Sequence, residues 1–266
     1  MWPTLYLRPM NRINGRLALI TGASAGIGRA CAQRLAAEGV HLVLWARRGE
    51  RLKELAAELT SANGVRVTTA TVDVRDRAAV DRAATALLKD GVPDILLNIA
   101  GLAAGFAKTQ DADPDDWDRM IDTNVKGLLY VTRAILPGMV ARNSGHIVNL
   151  GSLAGHQVYP MGAVYNASKF AVKALTDAIT MDLLGTRVRI ASVDPGHVET
   201  EFAVVRFAGD AARAKKVYEG FEPLHPENVA DVIAYILNQP ENVNILDVVM
   251  MSTAQRSVHH VHREAK

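Results

Sequence analysis

The chain has 266 residues, 49% of them hydrophobic and 22% charged, which is enough apolar material for a large core and a charged fraction ordinary for a folded domain. Its 30 basic and 28 acidic residues leave a formal charge of +2 with no basic block, so no nucleic-acid partner is expected. No apolar run approaches the ~18 residues needed to span a bilayer, so no membrane partner is expected either.

The single cysteine, Cys31, has no internal disulfide partner and falls among Ala and Leu in a predicted helix. It is expected to be a small buried core residue in a chain suited to a reducing compartment. The opening stretch, MWPTLYLRPMNRINGR, has scattered basic residues and neither a continuous apolar segment nor a small-residue cleavage site. Residues 1–13 are expected to form a short extension ahead of the first strand, with the cytoplasm as the default location.

In chain order, Leu17 to Ile20 is an apolar run ending in TGASAGIG at 21–28, and a helical pattern from Arg29 to Glu38 is closed by Gly39. His41 to Trp45 is a short apolar run followed by a charged helix from about Glu50 to Thr60. Val65 to Val72 reads as a β-branched strand, Asp76 to Lys89 as a helix and Ile95 to Ile99 as the next strand. Asp113 before Pro114 fits an N-cap followed by Pro at the first helical position. The helix it opens is expected to run to about Ala141, with room for a bend along the way. His146 to Leu150 is a strand, Tyr159 to Leu184 mostly helix, and Val188 to Val193 a strand stopped by Pro195 and Gly196. Residues 198–225 are less regular, Pro226 to Leu237 is a helix, Ile245 to Met250 a last strand, and 252–266 a polar, His-containing tail. Strands alternating with helices predict βαβ units: a single α/β domain over 14–251, with a doubly wound parallel sheet of about seven strands and helices on both faces.

Gly22, Gly26 and Gly28 lie where the first strand turns into the first helix. Glycine permits a tight turn and close approach of a pyrophosphate, and the helix N-terminus offers free N–H groups and a positive dipole end. Ser24 and Ile27, in the same turn, are expected cofactor contacts with it. The spacing is G-x-x-x-G-x-G rather than G-x-G-x-x-G. In the second strand, HLVLWARR, Ala46 stands where NAD-preferring folds carry an acid, and Arg47 and Arg48 follow. Guanidinium groups pair with a 2′-phosphate, so NADP(H) is the expected cofactor. The alternative is that Arg47 and Arg48 only cap the next helix as solvated charge.

Tyr165 and Lys169 form Y-x-x-x-K on a predicted helix, one turn apart on one face. An isolated tyrosine has a pKa of about 10; a neighbouring ammonium and a positive nicotinamide are expected to favour its phenolate. Tyr165 could then take or return the proton of an alcohol. Ser152 ends the fifth strand, at the same sheet edge as the glycine turn, and its hydroxyl could hold the substrate oxygen. Y-x-x-x-K alone is common in helices. The weight comes from the set, with glycine turn, serine, tyrosine and lysine in order on an alternating chain.

TGASAGIG, NIAG at 98–101, Asn124 in DTNVKG, Ser152 in GSLAG, YNASK at 165–169 and DPG at 194–196 together resemble the short-chain dehydrogenase/reductase family, over about Asn14 to Met251. The resemblance implies a Rossmann fold and a catalytic tetrad of Asn124, Ser152, Tyr165 and Lys169. It implies that Asn124 holds a water linking Lys169 to solvent and that Lys169 also binds the nicotinamide ribose. It further implies cofactor contacts from Asp73 and Val74 after the third strand, from Asn98, Ala100 and Gly101 at the fourth, and from Pro195, Val198 and Thr200 at the nicotinamide end. Where the family usually reads NNAG, Ile99 replaces the second Asn and is expected to support the sheet. A homo-oligomer is implied, a tetramer ahead of a dimer, with the helices around 114–141 and 159–184 at its interface.

The stretch GLLYVTRAILPGMVARNSGHIVNLGSLAG, with TEFAVVRFAGD and KVYEG in the substrate loop at about 198–225, is similar to the NADP-dependent 3-hydroxy acid dehydrogenases. That implies a small 3-hydroxy acid, such as serine or 3-hydroxyisobutyrate. Arg206 is then the candidate anchor for its carboxylate, the alternative being a solvated surface arginine. His156, Gln157 and Met161 are expected along the pocket wall. Two rival readings remain: a general ketone or aldehyde reductase whose pocket is lined by Phe202, Phe207 and Phe221, and a non-catalytic NADP(H) sensor. His259, His260 and His262 could bind a metal, but no metal is expected.

Overall fold

The computed structural model describes residues 11–264; residues 1–10 of the expected extension and residues 265 and 266 of the tail lie outside the described residues. The chain runs β1 (Leu17–Thr21), α1 (Gly26–Ala37), β2 (His41–Ala46), α2 (Gly49–Asn63), β3 (Val67–Thr71), α3 (Arg77–Leu88), β4 (Ile95–Asn98), α4 (Pro114–Ile121), α5 (Leu128–Arg142), β5 (Gly145–Leu150), α6 (Ala163–Asp182), β6 (Val188–Pro195), α7 (Phe202–Arg206), α8 (Ala211–Lys216), α9 (Pro226–Leu237) and β7 (Asp247–Met250). Among the described residues the strands form one seven-stranded sheet of order β3-β2-β1-β4-β5-β6-β7. Every neighbouring pair is parallel.

The apolar strand runs explain the two layers of helices. Successive strand side chains point to opposite faces. Ala18, Ile20, Leu42, Leu44, Ile95 and Leu97 therefore pack with α1, α2 and α9 through residues such as Leu35, Leu52 and Ile233. Leu19, Val43, Trp45 and Leu96 enter the opposite layer, against Val80 of α3 and Val131 and Ile135 of α5. Cys31 belongs to the first layer, and burial pushes its thiol up to about 12, so it stays a protonated apolar group. β3 and β7 are the sheet edges and are more exposed, which explains why their ends fall inside the runs expected from sequence. No helix among the described residues is long and apolar enough to cross a membrane.

Capping chemistry fixes several helix starts. The Asp113 carboxylate accepts from the Asp115 amide at 3.0 Å ahead of Pro114, and Asp76 accepts from Ala79 at 3.1 Å. The single long helix expected after Pro114 ends at Arg142, but Asp122–Gly127 within it is π-helical, which supplies the bend. The helix expected to begin at Tyr159 begins instead at Ala163, because Met161 is left-handed at φ 61° and Gly162 caps the helix. The described part of the tail folds back. Gln255 is 1% exposed, and its side-chain oxygen accepts from the His197 amide at 3.0 Å.

Strand order reverses direction between β1 and β4. At such a switch point the loops leaving the two strands separate and open a crevice at the carboxyl edge of the sheet.

Candidate active site

The cofactor end of the crevice is built on the β1–α1 turn. Gly22 has φ +70°, and a Cβ there would stand 2.9 Å from the Ala100 backbone, so only glycine lets this turn meet the loop after β4. Thr21 ties the two together: its hydroxyl accepts from the Ile99 and Ala100 amides at 3.0 and 3.1 Å. Ala25, the residue capping α1, makes no side-chain cap bond, which leaves the first-turn N–H groups of α1 open to an anion.

Gly22, Ser24, Gly26, Ile27 and Gly28 line this cleft, and so do Arg47 and Arg48 after β2 and Asp73 and Val74 after β3. Ala100 and Gly101 close it from β4, and Thr200 from the loop after β6. Arg48 Nε donates to Ser24 Oγ at 3.2 Å. Asp73 is gripped by the Arg75 guanidinium at 2.6 Å, which holds its carboxyl below the usual range.

Three further expected contacts, Asn98, Pro195 and Val198, are not among the residues lining this cleft. The Asn98 amide turns into the protein, donating to Thr132 Oγ1 and Asn149 Oδ1 at 2.9 Å each. Asn149 in turn donates to Thr176. The result is a buried polar ladder joining β4 and β5 to α5 and α6. Ile99, expected to support the sheet, is buried in the core layer with Ile20 and Leu97 and also lines the cleft. Pro195 is buried at the end of β6, and Val198 is held by a bridge to Leu224 and by the Tyr218 hydroxyl on its carbonyl at 2.9 Å.

The catalytic candidates converge beside this cleft. Ser152 follows β5 and caps a 3₁₀ turn, Leu153–Gly155, accepting from the Ala154 amide at 3.1 Å. Gly155 lets the turn dock on α6: a Cβ there would lie 2.7 Å from the Lys169 carbonyl. Lys169 donates from Nζ to the Leu150 carbonyl at 2.8 Å. Its ammonium is 6.0 Å from the Tyr165 ring centroid. Asn124 sits in the π-helical turn, exchanging hydrogen bonds with Leu102 (2.9 Å from its amide, 2.8 Å to its carbonyl) and donating to Ser168 at 3.0 Å. A π turn shifts the backbone pairing by one residue, and that local change brings Asn124 against α6.

The electrostatics differ from expectation in one respect. Burial is the largest influence on Tyr165 and pushes its phenol above the ordinary value, reinforced by Tyr159; Ser152 and Arg206 pull the other way. Lys169 is itself brought down to about 8 by burial, with Asp194 opposing.

Arg206 lies over the site. Its Nε donates to the Gly105 carbonyl at 3.3 Å while the Gly105 amide donates to the Arg206 carbonyl at 3.2 Å, pinning α7 to the segment after β4. The guanidinium carbon is 4.8, 5.3 and 5.8 Å from the ring centroids of Phe106, Tyr159 and Tyr165. Of the phenylalanines considered for an apolar pocket, Phe202 meets Tyr165 edge-on at 5.6 Å, whereas Phe207 packs on Phe106 and Phe221 on His197. Met161 shares the Arg206 pocket. His156 and Gln157 turn away from it. His156 Nε2 is 2.5 Å from Asp194, and Gln157 accepts from the Val258 amide of the tail at 3.0 Å.

Tyr159, Phe106 and Glu201 were not singled out from sequence. All three sit in turns or loops, where no periodicity marks a side chain's direction. Among the described residues the group with metal-ligand geometry is His156, Asp194 and Asp247, not the tail histidines. A cation is already present there, since Lys173 Nζ is 2.9 Å from Asp247.

Residues 16–210 match the family described as short chain dehydrogenase. The chain is 43% identical to the NADP-dependent 3-hydroxy acid dehydrogenase of Schizosaccharomyces pombe, over 96% of this chain and 99% of that one. It is 46% identical to sulfoacetaldehyde reductase 2 of Chromohalobacter salexigens, over 90% and 95% of the two chains. Among solved structures it resembles the closed form of a serine dehydrogenase complexed with NADP+, with a TM-score of 0.87, 42% identity and coverage of 93% of this chain and all of that one.

Proposed function

The chain belongs to the short chain dehydrogenase family, and from that premise we propose that it is an NADP-dependent oxidoreductase interconverting an alcohol and a carbonyl, with Tyr165 moving the proton. The residues fit the cofactor. The uncapped first turn of α1 would receive a pyrophosphate, and Arg48 with Ser24 forms a cationic, hydrogen-bonding corner suited to a 2′-phosphate. NADP+ held there supplies the hydride acceptor for oxidation, and NADPH the donor for reduction.

The protein's own part is proton transfer and positioning. Ser152 holds the substrate oxygen while the Tyr165 oxygen takes its proton in oxidation or returns it in reduction. Burial favours the protonated phenol of Tyr165, and the positive charge of an oxidised nicotinamide beside it would favour release of that proton. Lys169, anchored on Leu150, supports that shift and offers donors toward the ribose. Asn124 fixes the Leu102 loop against α6.

The substrate class follows from Arg206. A 3-hydroxy acid and sulfoacetaldehyde, which the names of two relatives mention, both carry an acid group on the carbon next to the reacting one. A cation close to Tyr165 suits that spacing. The observation carrying this reading is the Arg206 guanidinium 5.8 Å from the Tyr165 ring. Phe202 against Tyr165 favours, as a second reading, an apolar carbonyl substrate.

The test follows reduced-nicotinamide absorbance with NADP+ and serine, 3-hydroxyisobutyrate or a plain secondary alcohol, in wild type, Tyr165→Phe and Arg206→Ala. Hydroxy-acid turnover lost in Tyr165→Phe by about 10²–10⁴-fold is expected. Arg206→Ala should raise KM for the acids and spare the plain alcohol. Turnover of the plain alcohol alone would transfer the assignment to the apolar pocket.

A further inference from the structure

Glu201 reaches across the mouth of the cofactor cleft. Its two carboxylate oxygens bind separate arginines, with Arg48 Nη1 at 2.7 Å and Arg51 Nη1 at 2.8 Å. Arg48 is the arginine that also donates to Ser24, and Ser24, Arg48 and Glu201 line one cleft. The three side chains form an anion site in which the anion comes from the protein. The other cleft carboxylate, Asp73, has its own partner in Arg75, whereas Arg47 makes no ion pair among the described residues. Glu201 also stands between two functional segments: it follows Thr200 and leads into α7, which carries Phe202 and Arg206 over Tyr165.

We propose that Glu201 is an internal competitor for the 2′-phosphate of the cofactor: the phosphate displaces it from Arg48, leaving Arg51 as its remaining partner, and thereby loosens the amino-terminal end of α7. The inference rests on the NADP reading above. A phosphate monoester carries nearly twice the charge of a carboxylate and three acceptor oxygens, so it outcompetes Glu201 for one guanidinium. The existing pair is easily displaced, because Arg48 and Glu201 are 45% and 48% exposed and solvent weakens their attraction. A cofactor without the 2′-phosphate leaves the pair intact and the start of α7 held. Glu201 thus links cofactor choice at one end of the crevice to the substrate loop at the other.

The experiment titrates the full-length protein calorimetrically with 2′,5′-ADP and with 5′-AMP, for wild type and Glu201→Gln. Amide hydrogen exchange of 201–206 is followed in parallel. Glu201→Gln should bind 2′,5′-ADP about two- to fivefold more tightly, the scale of an exposed ion pair, with 5′-AMP unchanged. In wild type, 2′,5′-ADP but not 5′-AMP should speed exchange at 201–206; in the variant that segment should exchange fast from the start. Equal or weaker binding of 2′,5′-ADP by Glu201→Gln, or exchange that slows in wild type, would show that Glu201 orients Arg48 rather than competing for it, and would overturn the proposal alone. Wild type binding 2′,5′-ADP no better than 5′-AMP would overturn the NADP reading and this proposal together.

Discussion

The Lys169 ammonium lies 6.0 Å from the centroid of the Tyr165 ring, yet burial acts on the two groups in opposite directions, raising the phenol and lowering the amine to about 8. Both shifts favour the neutral forms. The uncharged site is therefore the resting condition above about pH 8, and each charge is created only where a partner compensates it.

Lys169 gives this a measurable consequence. Its pKa falls from 10.5 in the unfolded chain to about 8 in the folded one, so between those values the unfolded state binds more protons. Folding stability from this group is therefore present above pH 10.5 and is lost as pH falls through 8, by roughly 3 kcal/mol in total. Lys169→Met removes the titration. Denaturant melts of the two proteins should differ most below pH 8, in favour of the variant, and converge toward pH 10. A constant difference across that range would place Lys169 in contact with water.

Part of this site was readable in the sequence because local periodicity encodes it. Tyr165 and Lys169 share a face by helical spacing, and Ser152 reaches them because parallel strands end on one edge. The strands themselves stood out as apolar runs, since helices cover both faces of their sheet. Contacts set by distant packing were not readable. His156 lies next to the Ser152 turn in sequence, but its partner Asp194 is brought to it by the register of β5 with β6. Asn98 sits at the end of β4, where a one-residue difference decides whether a side chain meets the cleft or the interior, and it meets Asn149 and Thr132. Glu201 carries no pattern at all: its role appears only once α7 is folded against the arginines after β2.

Arg48 makes the cofactor preference testable by mutation. It bonds Ser24 and lines the cleft, so Arg48→Ala should weaken NADP+ binding by about 10–100-fold, the range of one lost charge-assisted hydrogen bond. NAD+ binding should stay within twofold or so by the same reasoning, because the 2′-hydroxyl brings no charge. Dissociation constants from nicotinamide fluorescence would decide it. Equal losses for both cofactors would mean that Arg48 supports the turn rather than the phosphate.

Gly22 tests the turn itself. Its left-handed φ of +70° already disfavours a side chain, and the space a Cβ needs is taken by the Ala100 backbone, which cannot rotate away. Gly22→Ala should cost about 2–4 kcal/mol of stability from strain and overpacking together. It should also displace the loop after β4, so cofactor binding should weaken in whatever fraction still folds. A thermal midpoint unchanged from wild type would mean that the turn and the loop move apart freely.

His146 predicts how the protein responds to acid. It lies in β5, 3% exposed, with neither ring nitrogen hydrogen-bonded. Burial, with the Arg189 guanidinium adding to it, lowers its pKa to about 3. The imidazole is therefore neutral in the folded chain at every pH where the unfolded chain begins to protonate it. Stability from this group is complete above pH 6.5 and is lost as pH falls toward 3, by about 2 kcal/mol at pH 5. His146→Leu fills similar volume with no titrating group. Urea melts from pH 8 to pH 4.5 should show the variant losing less stability than wild type below pH 6.5, the gap widening steadily as the pH drops. Parallel acid limbs would mean that the folded protein protonates His146 as readily as the unfolded one, and that the strand opens to water around it.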